Sequence, residues 1–125
     1  MPDYANFDGS PFNIWNGGHN NFMYDAWRVA SNIAINYAWF AKDKWEVEES
    51  NKLLNFFYSK GIGKYHGIFK LGREELPSGV HNTGLIAMNA AACLASTNDK
   101  WKEFLEEFWN TPIPEGRYRY YDGML

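Results

Sequence analysis

Cysteine is almost absent from this chain. Cys93 is the only one, so neither an intrachain disulfide nor a cysteine-based zinc site can form, and its setting in Ala90-Ala91-Ala92-Cys93-Leu94 reads as small core packing. Basic charge is also short: 12 Lys and Arg face 15 Asp and Glu with no basic cluster, which argues against a phosphate-binding surface and against nucleic acid as a partner. No apolar run approaches the roughly 18 residues that a membrane span requires. The N-terminus, Met1-Pro2-Asp3-Tyr4-Ala5-Asn6, lacks a positive n-region followed by an apolar h-region, so no export signal is expected and the compartment stays open.

Aromatic residues are what the chain has in excess, with six Trp, eight Tyr and nine Phe among 125 residues. Such a composition excludes disorder and points to a heavy core or to a groove for flat ligands. The length suits one core, or a piece of one.

Residues 1–21 are rich in Asn, Gly, Asp and Pro, including Asp8-Gly9-Ser10-Pro11 and Asn16-Gly17-Gly18, and are expected to form a loop. From Phe22 to Ala41 Gly and Pro vanish and apolar residues cover nearly the whole circumference, predicting a helix buried on every side. Asp43, three residues before Glu46, opens an amphipathic helix that runs to Lys60 and is closed by Gly61. A Gly-rich loop fills 61–80, in which Tyr65, Ile68, Phe69 and Leu71 fit a short hairpin within 62–76. A second all-apolar helix is expected from His81 to Ala95. A second amphipathic one follows, with Trp101, Phe104, Leu105, Phe108 and Trp109 on one face, ended by Pro112 and Pro114, and the tail is 111–125.

Asp43-Lys44-Trp45 recurs 56 positions later as Asp99-Lys100-Trp101, and the same offset carries Asp25 onto His81. The chain therefore reads as two helical hairpins, 22–60 and 81–110, each with a buried first helix and a half-wet second one. A buried first helix needs neighbours on both flanks, so a closed ring of hairpins is the better architecture. The expected fold class is all-α, an arc of a larger double ring of helices.

Along the first inner helix Asp25, Arg28, Asn32 and Asn36 form one polar stripe in an apolar cylinder. An ionised carboxylate in an apolar setting either anchors an ion pair or lines a polar cleft. Both readings stand on the residues alone: a buried Asp25–Arg28 pair in a helical scaffold, or a cleft wall with Asp25 at its mouth. In the second, the guanidinium favours the charged carboxylate, which suits a general base. Inverting hydrolysis of a glycosidic bond would pair that base with an acid about 6.5 to 9.5 Å away. No second inward-facing acid is visible: Glu46, Glu48, Glu49, Glu103, Glu106 and Glu107 fall on amphipathic helices with a solvated face, and Glu74 and Glu75 lie in a loop. His81 reads as a helix-start residue or a cleft residue, and His19 as an exposed loop residue. Trp27 and Trp39 read as core, Trp15 and Tyr24 as sugar-stacking platforms, and Tyr118, Tyr120 and Tyr121 as a strand or a ligand rim.

The segments Asp25-Ala26-Trp27-Arg28-Val29-Ala30, Trp39-Phe40-Ala41, Asn51-Lys52-Leu53-Leu54-Asn55-Phe56-Phe57, Gly61-Ile62-Gly63-Lys64-Tyr65, Gly84-Leu85-Ile86-Ala87-Met88-Asn89-Ala90 and Tyr118-Arg119-Tyr120-Tyr121-Asp122-Gly123 together resemble glycoside hydrolase family 8. The resemblance is strongest to its reducing-end xylose-releasing exo-oligoxylanase branch. It implies part of an (α/α)6 barrel, with this chain supplying four of twelve helices, and an inverting hydrolase of β-1,4-linked xylo-oligosaccharides without metal or organic cofactor. It further implies Asp25 as the catalytic base, Arg28 as the group that orients it, and His81 on the reducing-end side of the cleft, with Tyr24, Trp15 and Tyr121 as candidate sugar contacts. The family's general-acid glutamate lies on an earlier inner helix, so the chain by itself is expected to be inactive or nearly so, and the next inner helix would begin near Met124-Leu125. The branch favours an intracellular setting. The expected alternative to catalysis is an inert helical fragment or scaffold that binds a partner or self-associates through exposed barrel edges.

Overall fold

The structure, a computed structural model, describes residues 1–40, 43–117 and 119–125. Ala41 and Tyr118, which the sequence reading included, lie outside these residues. Among the described residues five α-helices follow one another: α1 (Asp25–Phe40), α2 (Lys44–Lys60), α3 (Thr83–Ala92), α4 (Trp101–Asn110) and α5 (Arg119–Met124). Short 3-10 turns occur at Ile14–Asn16 and at Cys93–Ala95, where the latter extends α3.

Helix α2 has the predicted limits. The Asp43 carboxylate accepts from the Trp45 N–H at 2.9 Å, and Gly61 terminates the helix with φ of 94°, a conformation that favours glycine. The repeat of this motif does not cap α4: no side chain of Lys100 or Asp99 does so, and Asn98 instead accepts from the Lys100 N–H at 3.0 Å. Helix α3 is capped by Asn82, which accepts from the Gly84 N–H at 2.8 Å.

Helices α1 and α3 pack side by side as the inner pair, with α2 laid against α1 and α4 against α3. Alanines at 26, 30 and 34 of α1 and at 90 and 92 of α3 are buried, and such small side chains permit close approach of two backbones. Around them Phe22, Trp27, Leu54, Phe57, Tyr65, Phe69, Leu85, Ile86, Met88 and Phe104 make one core. At about 25 cal/mol per Å² of apolar area, burying an aromatic side chain of this size stabilises by about 2–3 kcal/mol, so this ring-rich cluster dominates the packing.

Burial separates the two inner helices. Helix α3 is covered nearly all round, but α1 is not: Arg28, Asn32 and Asn36 are exposed, as are Val29, Trp39 and Phe40. The expectation of an α1 buried on every side, with Trp39 in the core, is thus corrected. Among the described residues only α2, α3 and the 93–95 turn cover α1 extensively, and the side bearing Asn32, Asn36, Trp39 and Phe40 stays exposed. Helix α4 shares this condition. Phe104 is fully buried, whereas Leu105, Phe108 and Trp109 of the same stripe are exposed.

The 62–76 loop contains a hairpin-like turn rather than strands. Lys70 N–H donates to Glu74 at 2.8 Å and Leu76 N–H to Ile68 at 3.1 Å, with single bridges from Phe69 to Phe22 and to Glu75. Gly67 in this loop is obligatory, because a Cβ there would meet the Trp27 indole at 2.7 Å. The tail forms α5 instead of a strand and packs on α3, where a Cβ on Gly84 would lie 2.6 Å from Leu125.

Candidate active site

Asp25 is the first residue of α1, and its neighbours come from three parts of the chain. Arg28, one turn along, donates from Nη2 to Asp25 Oδ1. The Tyr121 hydroxyl, reaching back from α5, donates to the same oxygen at 3.1 Å. The Arg28 guanidinium stands 5.9 Å from the centre of the Tyr121 ring. Tyr24 lies edge-on to Tyr121 at 6.4 Å and tilted against Trp27 at 5.5 Å. Trp27 is itself locked by its Nε1–H, which donates to Gly67 at 3.0 Å.

The structure therefore brings four of the six candidate residues together: Asp25, Arg28, Tyr24 and Tyr121. The Asp25 side chain is 38% exposed and both bonds fall on Oδ1. Among the described residues Oδ2 is the oxygen left to accept a water. The bond to Asp25 makes Arg28 a still weaker acid than a free guanidinium. Burial first, and then the Asp25 charge, pushes the Tyr121 hydroxyl up, so it stays a neutral donor at ordinary pH. A carboxylate held on one oxygen by two donors, with the other oxygen open, is oriented and able to take a proton.

Trp15 stands apart from this cluster but is connected to it. It is 80% exposed with φ of 53°, and its ring meets the edge of His19 at 6.2 Å. His19 is not the free loop residue expected from sequence. Its side chain is 20% exposed and its Nδ1 pairs with Asp3 Oδ2 at 2.5 Å. Asp3 also accepts the Asp25 backbone N–H at 2.7 Å.

His81 does not touch Asp25. Its Nδ1 lies 2.7 Å from the Tyr65 carbonyl, its Nε2 3.0 Å from Glu107 Oε1, and its ring packs on Tyr65 with centroids 4.6 Å apart. Both ring nitrogens are engaged. The flanking residues Val80 and Asn82 nevertheless line a small hollow of about 70 Å³ with Tyr24, Trp27, Gly67, Ile68 and Ser78, so the turn bearing His81 adjoins the aromatic edge of the cluster. A larger hollow of about 300 Å³ lies elsewhere, between α1, α2 and the 69–73 turn, floored by Phe22, Leu53, Phe56 and Ser50.

Two glutamates overturn the expectation of solvated faces. Glu46 is buried and accepts from Asn36 Nδ2 at 2.5 Å. Glu107 is 7% exposed and accepts from the Gly63 N–H at 2.7 Å, from the Tyr65 hydroxyl and from His81. Sequence reasoning missed Glu107, Asp3 and the role of His19. Glu107 carried one signal, its position three residues after the fully buried Phe104 on the same helix face. Asp3 carried none, since its partners lie 16 and 22 positions away.

A double layer with α1 and α3 inside and α2 and α4 laid against them is what an arc of an (α/α)6 barrel requires, and comparison with known proteins agrees on the fold. The reducing-end xylose-releasing exo-oligoxylanase Rex8A of Paenibacillus barcinonensis is 39% identical over 99% of this chain and 33% of its own length. The reducing-end xylose-releasing exo-oligoxylanase of Halalkalibacterium halodurans is 38% identical over 99% of this chain and 32% of its own length. A family 8 xylobiose complex from Teredinibacter turnerae superposes with a TM-score of 0.88 at 42% identity, covering 98% of this chain and 31% of that one. No family model matches the chain.

Over nearly its whole length the chain is similar to glycoside hydrolase family 8 proteins, and its fold is part of an (α/α)6 barrel. It spans about a third of the length of the relatives it matches.

Proposed function

We propose that this chain carries the general base of an inverting glycoside hydrolase acting on β-1,4-linked xylo-oligosaccharides. Asp25 is the base, Arg28 and Tyr121 orient it, Tyr24 and Trp15 offer faces to sugar rings, and His81 serves the reducing-end side through the turn it anchors. The observation that carries the reading is the half-open Asp25 carboxylate, restrained on Oδ1 by two donors and free on Oδ2.

In this mechanism Oδ2 takes a proton from a water as the water oxygen attacks the anomeric carbon. The glycosidic oxygen leaves from the opposite face with a proton from the acid, so the configuration inverts. The Arg28 guanidinium and the Tyr121 hydroxyl keep the carboxylate aimed before the transfer. No contact among the described residues brings a second carboxyl to the Asp25 carboxylate. The acid in this reading comes from the part of the relatives' length that this chain does not span. No metal or organic cofactor takes part.

The test joins this chain to an acid-bearing remainder of the barrel and follows xylotriose hydrolysis by NMR. Asp25→Asn should lower kcat by at least about 10³-fold with the melting temperature unchanged, and the first product of the parent should be the α-anomer. The chain alone should show no turnover. Retained turnover in Asp25→Asn sinks the base assignment, and robust turnover by the chain alone sinks the missing-acid argument.

A second reading is a scaffold that self-associates, favoured by the exposure of Trp39, Phe40 and Trp109. Sedimentation separates it, since a clean monomer at high concentration removes it.

A further inference from the structure

We infer that Asp3 is a positioning residue for Asp25 and, together with His19, joins the candidate base to the Trp15 loop. The inference rests on the reading of Asp25 as the base.

Helix α1 needs an acceptor for its first N–H. The residue before it, Tyr24, has no side-chain acceptor for the purpose and sits at φ of 35°, in the left-handed region that non-glycine residues rarely adopt. The acceptor comes from 22 positions earlier, as Asp3 Oδ1 takes the Asp25 N–H at 2.7 Å. The Asp3 side chain is 2% exposed, and its second oxygen is held by His19 Nδ1. A buried carboxylate needs such partners, and at a helix N-terminus it is also favoured by the helix dipole.

His19 transmits the arrangement outward. Its carbonyl accepts from the Tyr4 N–H at 2.9 Å, and its ring lies edge-on to Tyr4 at 5.2 Å and to Trp15 at 6.2 Å. Trp15 and Asn16 both have φ of 53°, so an exposed indole is held on two strained residues, with Gly18 N–H bound to Asn13 at 2.8 Å behind it. One buried carboxylate thus sets the backbone of the base and the seat of the aromatic platform. A displacement of about 1 Å at such a support is enough to cost about 10²-fold in rate.

Two readouts test this. In NMR of the chain, the Asp25 amide proton should lie downfield. Asp3→Ala should abolish this, while Asp3→Asn, which keeps an oxygen for the amide, should retain the downfield position. In xylotriose hydrolysis by the chain joined to the acid-bearing remainder, Asp3→Ala should lower kcat at least about 30-fold with KM within about threefold, and Asp3→Asn should recover most of it.

An Asp25 amide that is not downfield in the parent, or that is unmoved in Asp3→Ala, overturns the inference; should Asp3→Ala fail to fold, the parent shift and that of Asp3→Asn still decide it. Unchanged kcat in Asp3→Ala beside a dead Asp25→Asn overturns it while sparing the base. Full turnover in Asp25→Asn instead removes the base assignment itself.

Discussion

Replacing Glu107 by Ala removes the one acceptor shared by the 61–67 loop, the start of α3 and α4. Its 7% exposed carboxylate takes the Gly63 N–H, the Tyr65 hydroxyl and His81 Nε2. Burial raises the Tyr65 hydroxyl well above its ordinary range, so it is a neutral donor that loses its acceptor in the variant. A hydrogen bond to a charged group contributes about 1.5–3 kcal/mol, but the full sum is not lost. Gly63 is exposed and rehydrates, and His81, 27% exposed, rehydrates in part. The expected destabilisation is about 3 kcal/mol, the low end for breaking a buried charged pair. An unfolding entropy of about 2.1 cal/mol/K per residue over 125 residues converts each kcal/mol into about 4 °C, so the midpoint should fall by about 12 °C. Circular dichroism melts measure it, with the exposed neighbour Glu106→Ala as the control expected within about 2 °C. A Glu107→Ala midpoint within about 3 °C of the parent, or equal to the Glu106 control, refutes the claim that this carboxylate is a structural tie.

Other perturbations probe the packing and the ionisable groups. Gly67→Ala drives a methyl into the Trp27 indole and should cost about 1–3 kcal/mol in urea unfolding; an unchanged midpoint would mean the loop yields freely. Burial pushes the Asp122 carboxyl up, and the Gly84 N–H offsets this only in part. Its native pKa therefore lies above the unfolded value of about 3.9, so its contribution is fully present below that pH and lost as pH rises through the native value. Asp122→Asn should accordingly gain stability over the parent as pH rises from 3 to 7, and a constant or shrinking difference contradicts the burial argument. Cys93, pushed up to about 12 by burial, should react with a thiol reagent at pH 8 at least about 100-fold more slowly in the native chain than in urea. Equal rates would place the thiol in water.

Local physics made part of this molecule legible beforehand. The Asp43 cap and the Gly61 stop of α2 depend on residues adjacent in sequence, and the order of four helices followed from residue spacing. Arg28 meets Asp25 because three positions on a helix are neighbours in space. The reading failed where partners were remote. Glu46 and Glu107 read as solvated because helix position alone does not say whether a donor waits opposite, and Trp39 read as core because its helix is rich in apolar residues, whereas it is exposed among the described residues.

Hydrophobic periodicity, caps and turn chemistry act over a few residues, so composition and order alone determined a helical double layer and singled out Asp25 with Arg28. Which oxygen of Asp25 the Tyr121 hydroxyl restrains, which glutamates are buried, and which aspartate holds the first amide of α1 are matters of contacts 10 to 96 positions apart. Only tertiary packing decided them, of α5 and the first loop against the start of α1, of α2 against α1 and of the 61–67 loop against α4, because a hydrogen bond requires its partners within about 3 Å and no local pattern encodes that meeting.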